Sequence, residues 1–149
     1  MIEYQVKVHE DGSQKWLLNG KRHREDGPAV EYADGSKAWY LNGKLHREDG
    51  PAIEDALFNA WYQNGKRHRE DGPAVEYADG SKAWYLNGEP HREDGPAIEW
   101  ADGYKAWYLN GKQLTEAQHQ AATVQETILT MDQVARLAGV PVERLKIQK

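Results

Sequence analysis

One heptapeptide, His-Arg-Glu-Asp-Gly-Pro-Ala, occurs four times without change, starting at His23, His46, His68 and His91. Trp16, Trp39, Trp61, Trp84 and Trp107 recur with it, at spacings of 23, 22, 23 and 23 residues. An internal period of this length means a stack of supersecondary units, because one such unit cannot bury its apolar face alone. The unit reads Ala-Trp-Tyr-Leu-Asn-Gly-Lys-x-His-Arg-Glu-Asp-Gly-Pro-Ala-Val/Ile-Glu-Tyr-Ala-Asp-Gly-Ser-Lys and runs from about Glu10 to Lys112. Residues 2–15 resemble a partial leading unit.

The turn residues inside the unit predict β-hairpins. Asp34-Gly35 lies between Val30-Glu31-Tyr32-Ala33 and Ser36-Lys37-Ala38-Trp39-Tyr40-Leu41. Asp-Gly between two β-prone runs predicts a two-residue hairpin with positive φ at both turn residues. Asn42-Gly43 predicts a second turn, and Asp49-Gly50-Pro51 redirects the chain again. Two-residue pairing about Asp34-Gly35 puts Val30 opposite Trp39. Pairing about Asn42-Gly43 puts His46 opposite Trp39. Val30, Trp39 and His46 are then one cross-strand row, with Ala38, Tyr40, Leu45 and Arg47 on the other face. The Trp face is expected to be the drier one. The residue before His varies (Arg22, Leu45, Arg67, Pro90) and is expected to face solvent. The third unit is irregular: Asp55-Ala-Leu-Phe-Asn59 replaces the Asp-Gly turn, and one residue is lost.

Composition agrees with a thin β-structure. The chain holds 6 Trp and 8 Tyr but only one Phe and two Met, with an apolar share of 39% and 14 Gly. Cysteine is absent, which excludes disulfide scaffolds, thiolate zinc sites and Cys nucleophiles. No apolar run approaches a membrane span, and Met1–Glu10 lacks the apolar core of a signal peptide, so the expected location is the cytoplasm. The fold class expected is mainly β. An elongated array of antiparallel hairpins covers 1–112, and a small helical cap or tail covers 113–149.

The tail differs from the array. No Trp, Tyr or Phe occurs from Lys112 to Lys149, which carries 5 basic and 4 acidic residues against 14 and 20 before it. Thr115 is a predicted N-cap for a helix reaching about Leu129. Thr130–Gln133 can cap a second helix ending at Gly139, and Pro141–Ile147 is either a short helix or a strand. Such a tail suits the open end of a hairpin stack. The Ala, Gly and aliphatic spacing of Gln133–Leu145 also fits a helix-turn-helix, but few basic residues accompany it.

The repeated histidines, His23, His46, His68 and His91, do not suit a shared metal. Units separated by two strand spacings lie about 9–10 Å apart, too far for one zinc ion. Trp39, Trp61, Trp84 and Trp107 together with these histidines are therefore read as structural. Four identical His-Arg-Glu-Asp copies on a thin sheet do not form the single pocket an active site needs. No catalytic residue, metal or cofactor is expected. The negative charge disfavours nucleic-acid and membrane partners.

The period, the Trp…Gly-Lys-x-His core and the Asp-Gly turn resemble MORN and MORN-variant repeats. The stricter Trp-Tyr-Leu-Asn-Gly-Lys-x-His-Arg-Glu-Asp-Gly-Pro-Ala form is similar to repeat proteins of bacteriophage and large-virus genomes. The resemblance covers roughly residues 2–114. It departs from the MORN pattern at Arg24, Arg47, Arg69 and Arg92, where that family commonly has Gly. It implies an elongated β-hairpin scaffold or binding surface and no chemistry. The expected function is a non-enzymatic protein-binding module. Tyr40, Tyr62, Tyr85 and Tyr108 would form a column with Arg47, Arg69 and Arg92 alongside, and Phe58 would mark the irregular unit. The phage resemblance implies an inhibitor of a host defence protein, acting in the host cytoplasm by steric and electrostatic occlusion. The alternatives are a self-associating scaffold and a DNA-binding tail.

Overall fold

Two turn types alternate along the chain, and they set its register. In a computed structural model, which describes residues 1, 3–124, 131–139 and 141, Asn19, Asn42, Asn64, Asn87 and Asn110 have φ of 47–52°. The glycine after each has φ between 77° and 88°, so each Asn-Gly pair is a two-residue type I′ turn. The Asp-Gly turns differ. Only the glycine is left-handed, as at Gly35 with φ of 90°. Gly35 N–H donates to the Tyr32 carbonyl at 3.0 Å and Tyr32 N–H to the Ser36 carbonyl at 2.9 Å. Asp34 Oδ1 accepts from Ser36 N–H at 2.9 Å. The loop is therefore the three residues Ala33-Asp34-Gly35, a type I turn closed by a glycine bulge. The extra loop residue moves the register by one. Val30 lies opposite Ala38 and Glu31 opposite Lys37, so the expected Val30–Trp39 pair is corrected.

The hairpins form in chain order. The leading one is β1 (Tyr4–Val8) with β2 (Gln14–Leu18), followed by β3 (Lys21–Arg22). Next come β4 (Val30–Glu31), β5 (Lys37–Ala38), β6 (Tyr40–Leu41) and β7 (Lys44–Leu45). The irregular unit gives β8 (Ile53–Glu54), β9 (Phe58–Ala60), β10 (Tyr62–Gln63) and β11 (Lys66–Arg67). Then follow β12 (Val75–Tyr77), β13 (Lys82–Ala83), β14 (Tyr85–Leu86) and β15 (Glu89–Pro90). The array ends with β16 (Ile98–Glu99), β17 (Lys105–Leu109) and β18 (Lys112–Leu114). One open antiparallel sheet of 12 strands runs β1-β2-β4-β5-β8-β9-β12-β13-β16-β17-β18, with β3 paired to β2. The Asn-Gly hairpins β6-β7, β10-β11 and β14-β15 form a second row of two-stranded sheets. Backbone bonds also join this row. Gly43, Gly65, Gly88 and Gly111 N–H donate to the carbonyls of Arg22, Leu45, Arg67 and Pro90 at 2.8–2.9 Å.

The core is made of small residues. Ala29, Ala52, Ala74 and Ala97, the last residues of the heptapeptides, are fully buried, as are Val30 and Ala60. Ala60, Val75 and Ala83 form a cluster packed by Ile53, Phe58, Tyr62, Tyr77, Tyr85 and Ile98. No tryptophan belongs to it. Trp16, Trp39, Trp61, Trp84 and Trp107 are half-buried, so the Trp face is not the drier one. A thin core of alanine and valine, covered by tyrosines of the second row, needs few bulky aliphatics, which explains their scarcity in the sequence.

The irregular unit keeps the register. Ile53 pairs with Ala60 and Glu54 with Asn59, the same alignment as Val75 with Ala83 and Glu76 with Lys82. Its missing residue is taken from the loop, not from a strand.

Two helices follow. α1 (Glu116–Thr123) is capped by Thr115, whose side chain accepts from Gln118 N–H, while the Gln118 side chain accepts from Thr115 N–H. It packs on β17 and β18. Its one buried residue is His119, whose Nε2 lies 2.6 Å from the Arg92 carbonyl. α2 (Met131–Ala138) ends at Gly139 with φ of 65°. The expected continuation of α1 to Leu129 is corrected: the helix ends at Thr123, and its C-cap Val124 is extended, with φ of −65° and ψ of 106°. Of the expected Pro141–Ile147 segment, residues 142–147 lie outside the described residues.

Candidate functional surface

Each residue of the heptapeptide has a fixed structural task, which accounts for its invariance. In the second copy, the Arg47 guanidinium carbon sits 3.9 Å from the Trp39 ring centroid. Arg47 Nε donates to Asp49 Oδ1 at 2.8 Å, and one terminal nitrogen donates to the Pro51 carbonyl and to Glu54. A Cβ on Gly50 would stand 2.9 Å from the guanidinium carbon, so only glycine leaves room. Ala52 is buried, and its carbonyl accepts from Trp39 N–H at 2.8 Å. The same set repeats at Arg24, Arg69 and Arg92, stacked on Trp16, Trp61 and Trp84 at 3.9–4.2 Å. The histidines link one unit to the next. His23, His46, His68 and His91 accept through Nδ1 from the N–H of Asn42, Asn64, Asn87 and Asn110 at 3.0–3.1 Å. Each Nε2 lies 3.5–3.8 Å from the carboxylate of Glu25, Glu48, Glu70 or Glu93. Accepting at Nδ1 puts the proton on Nε2, facing that glutamate.

This placement changes the expected partner-binding set. Arg47, Arg69 and Arg92 adjoin the tyrosine column through their backbone, but their guanidinium groups do not join it. They are held on tryptophan and carboxylate by their own units. Tyr40, Tyr62, Tyr85 and Tyr108 recur at one position of successive hairpins, and their carbonyls accept from Arg24, Arg47, Arg69 and Arg92 N–H at 3.0–3.2 Å. Tyr62 and Tyr85 pack against the core cluster. Tyr40 and Tyr62 each accept a hydrogen bond at the hydroxyl, from Arg22 and Arg67, both at 3.1 Å. Arg22 and Arg67 also lie over the Tyr40 and Tyr85 rings at 5.1 and 5.3 Å. The residue before His is therefore half-buried in that column and not simply solvated. Trp107 has no following Arg, and α1 packs on its strand instead.

Positions at which the units differ gather elsewhere. Phe58 and Tyr104 occupy the slot that holds Ser13, Ser36 and Ser81 in the other units. Trp100 replaces the Tyr of Tyr32 and Tyr77. The Phe58 and Tyr77 ring centroids are 6.1 Å apart, and those of Tyr77 and Trp100 are 6.2 Å apart. Leu57, from the shortened loop, is 72% exposed, Tyr104 56% and Trp100 45%. The result is an aromatic strip along the Asp-Gly edge of the later units. Of its members only Phe58 stood among the expected residues. The others are visible in the sequence as departures from the repeat.

The remaining surface is ionic. Open clefts of about 750, 620 and 750 Å³ separate successive heptapeptides, floored by Trp39, Trp61 or Trp84 and walled by paired carboxylates and arginines. The hydrogen bond from Arg47 holds the Asp49 carboxyl below its usual range, and Arg24 and Arg92 do the same for Asp26 and Asp94. Burial opposes the Arg47 charge, but Asp49 and Glu54 outweigh it and raise its pKa above the ordinary arginine value. These carboxylates are engaged by arginine in an open cleft, an arrangement of ion pairs. Among the described residues no group of three or more His, Asp or Glu side chains gathers to hold a metal ion. No helix among them is long and apolar enough to cross a membrane. The second helix of the helix-turn-helix reading, Val142 onward, lies outside the described residues.

Comparison with protein-family models finds no match, and comparison with curated proteins finds none either.

Proposed function

We propose that the chain is a non-enzymatic protein-binding module, a MORN-like hairpin array that presents one adapted surface on an otherwise uniform scaffold. The observation that carries this reading is the aromatic strip. Leu57, Phe58, Trp100 and Tyr104 all break the repeat, none is required by its hydrogen-bond pattern, and together with Tyr77 they lie along one edge. A repeat position kept for folding should hold the same residue in each unit; these do not. Exposed Trp, Tyr and Phe on a rigid support lose little entropy on binding and are the usual centres of interface energy. The array also carries the chain's net charge of −5, and Glu25, Glu48, Glu70 and Glu93 project into solvent. The favoured partner therefore has an apolar groove with a basic rim. The likeness to phage repeat proteins adds a host nucleic-acid-binding defence protein as the class to try first, blocked by occlusion.

The test is capture from nuclease-treated bacterial lysate by the immobilised chain and by a Leu57→Ser/Trp100→Ala/Tyr104→Ser variant. One stoichiometric protein held by the parent and lost by the variant is the expected result. Equal capture by both removes the strip from the interface. Capture that vanishes on nuclease treatment removes the protein-binding reading.

A further inference from the structure

We propose that the array pairs with a second copy of itself through β1, giving a two-fold symmetric dimer with one continuous sheet. Among the described residues β1 is the sheet's first strand and bonds only to β2. His9 N–H donates to the Ser13 carbonyl and Asn19 N–H to the Glu3 carbonyl, so the backbone groups of the odd-numbered residues point toward β2. Those of Tyr4, Val6 and Val8 point outward, along an edge with no bulge or proline to blunt it. All five residues of β1 are exposed, and Tyr4, Val6 and Val8 share one face.

Charge selects the occupant. Within the sheet, lysine sits against glutamate: Lys37 lies between Glu31 and Glu54, and Lys82 between Glu76 and Glu99. At the edge this fails. Lys7 lies opposite Lys15, a like-charge pair that destabilises an antiparallel ladder. The next strand outward must therefore bring a carboxylate to Lys7 and apolar residues to Tyr4 and Val6. β1 itself meets both demands in antiparallel register about Gln5. Glu3 then faces Lys7 of the second copy, Tyr4 faces Val6, and the two Gln5 residues meet on the axis. Tyr4 and Val6 exchange outward N–H and carbonyl groups, four backbone hydrogen bonds in all. The patch is short, so the dimer belongs at the weak end of specific interfaces, in the micromolar to submillimolar range.

Sedimentation equilibrium of the purified full chain at low salt should show concentration-dependent approach to twice the 17.0 kDa chain mass. Lys7→Glu should raise the dissociation constant about tenfold or more, because two attractive cross-strand pairs become repulsive. The same change relieves Lys15, so the unfolding midpoint should not fall. The double reversal Glu3→Lys/Lys7→Glu should restore association. Since the chain has no cysteine, Gln5→Cys gives a register test. Two non-hydrogen-bonded partners on the axis stand about 4.5 Å apart at Cα, within disulfide range. Oxidation should cross-link Gln5→Cys and leave the turn variant Asp11→Cys largely monomeric. A monomer mass up to about 1 mM, association indifferent to Lys7→Glu, failure of the double reversal to rescue it, or equal cross-linking at both cysteines would each overturn the proposal.

Discussion

Arg47 shows what the repeat asks of one side chain. It is stacked on Trp39, bonded to Asp49, Glu54 and a carbonyl, and pressed against the Cα of Gly50. Gly50→Ala should therefore dislodge the guanidinium and destabilise the unit by about 1–2 kcal/mol, read as a lower unfolding midpoint with altered tryptophan fluorescence. Gly50 itself has no left-handed backbone, so the cost comes from the neighbour and not from φ. The aspartates set the acid limit. Asp26, Asp49 and Asp94 have folded pKa values below the ordinary 3.8. Their contribution is complete above 3.8 and is lost as pH falls through the lowered folded values. Stability should thus hold from neutrality to about pH 4 and decline below it. Asp49→Asn should flatten that decline, and added salt should shrink it, because these pairs are exposed. The histidine contact has its own readout. His68→Ala removes the acceptor for Asn87 N–H, so exchange of that amide should quicken while the amides of Asn42 and Asn110 keep their protection.

At the level of hairpins, the Asn-Gly turns were readable in the sequence because both residues there must have positive φ. The Asp-Gly turns are three-residue loops, not the two-residue turns that the dipeptide suggests. Their length is fixed by the Asp34 side chain accepting from Ser36 N–H, which favours a three-residue loop over a two-residue one. That single residue moved Val30 from Trp39 to Ala38 and took the tryptophans out of the predicted core row. Trp39 still meets His46, as expected: His46 N–H donates to the Trp39 carbonyl at 3.1 Å. The shortened loop of the third unit gives an element-level prediction. Replacing Asp55–Phe58 by Tyr-Ala-Asp-Gly-Ser restores the consensus loop without touching strand register. Circular dichroism should change little, and the unfolding midpoint should fall only by the lost packing of Phe58 on the core cluster. Loss of Leu57 and Phe58 should nevertheless weaken partner capture, which separates the strip's binding role from its folding role.

For the whole molecule, architecture was legible because the period, the turns and the scarcity of large aliphatics agreed. The adapted surface was less so, because an aromatic residue in a repeat serves packing or binding equally well until its neighbours are known. Tyr62 turned out to cover the core, whereas Tyr104, in a serine slot, is exposed. Units contact their neighbours in chain order, so the array should tolerate removal of one. Deleting residues 65–87 joins Asn64 to Gly88 and rebuilds an Asn-Gly turn. The shortened chain should fold with lower stability and a denaturant slope about a sixth smaller. The same ordering governs how the molecule responds to load. β1 and β18 lie at opposite ends of the stack, and the strands run across the line joining them. Tension between the two ends would open backbone bonds one strand at a time, as in a zipper, and not all together. Each 23-residue unit surrendered would lengthen the tether by about 80 Å. A chain built this way yields under pulling in even steps, so between two anchored bodies it would act as a measured reserve of slack.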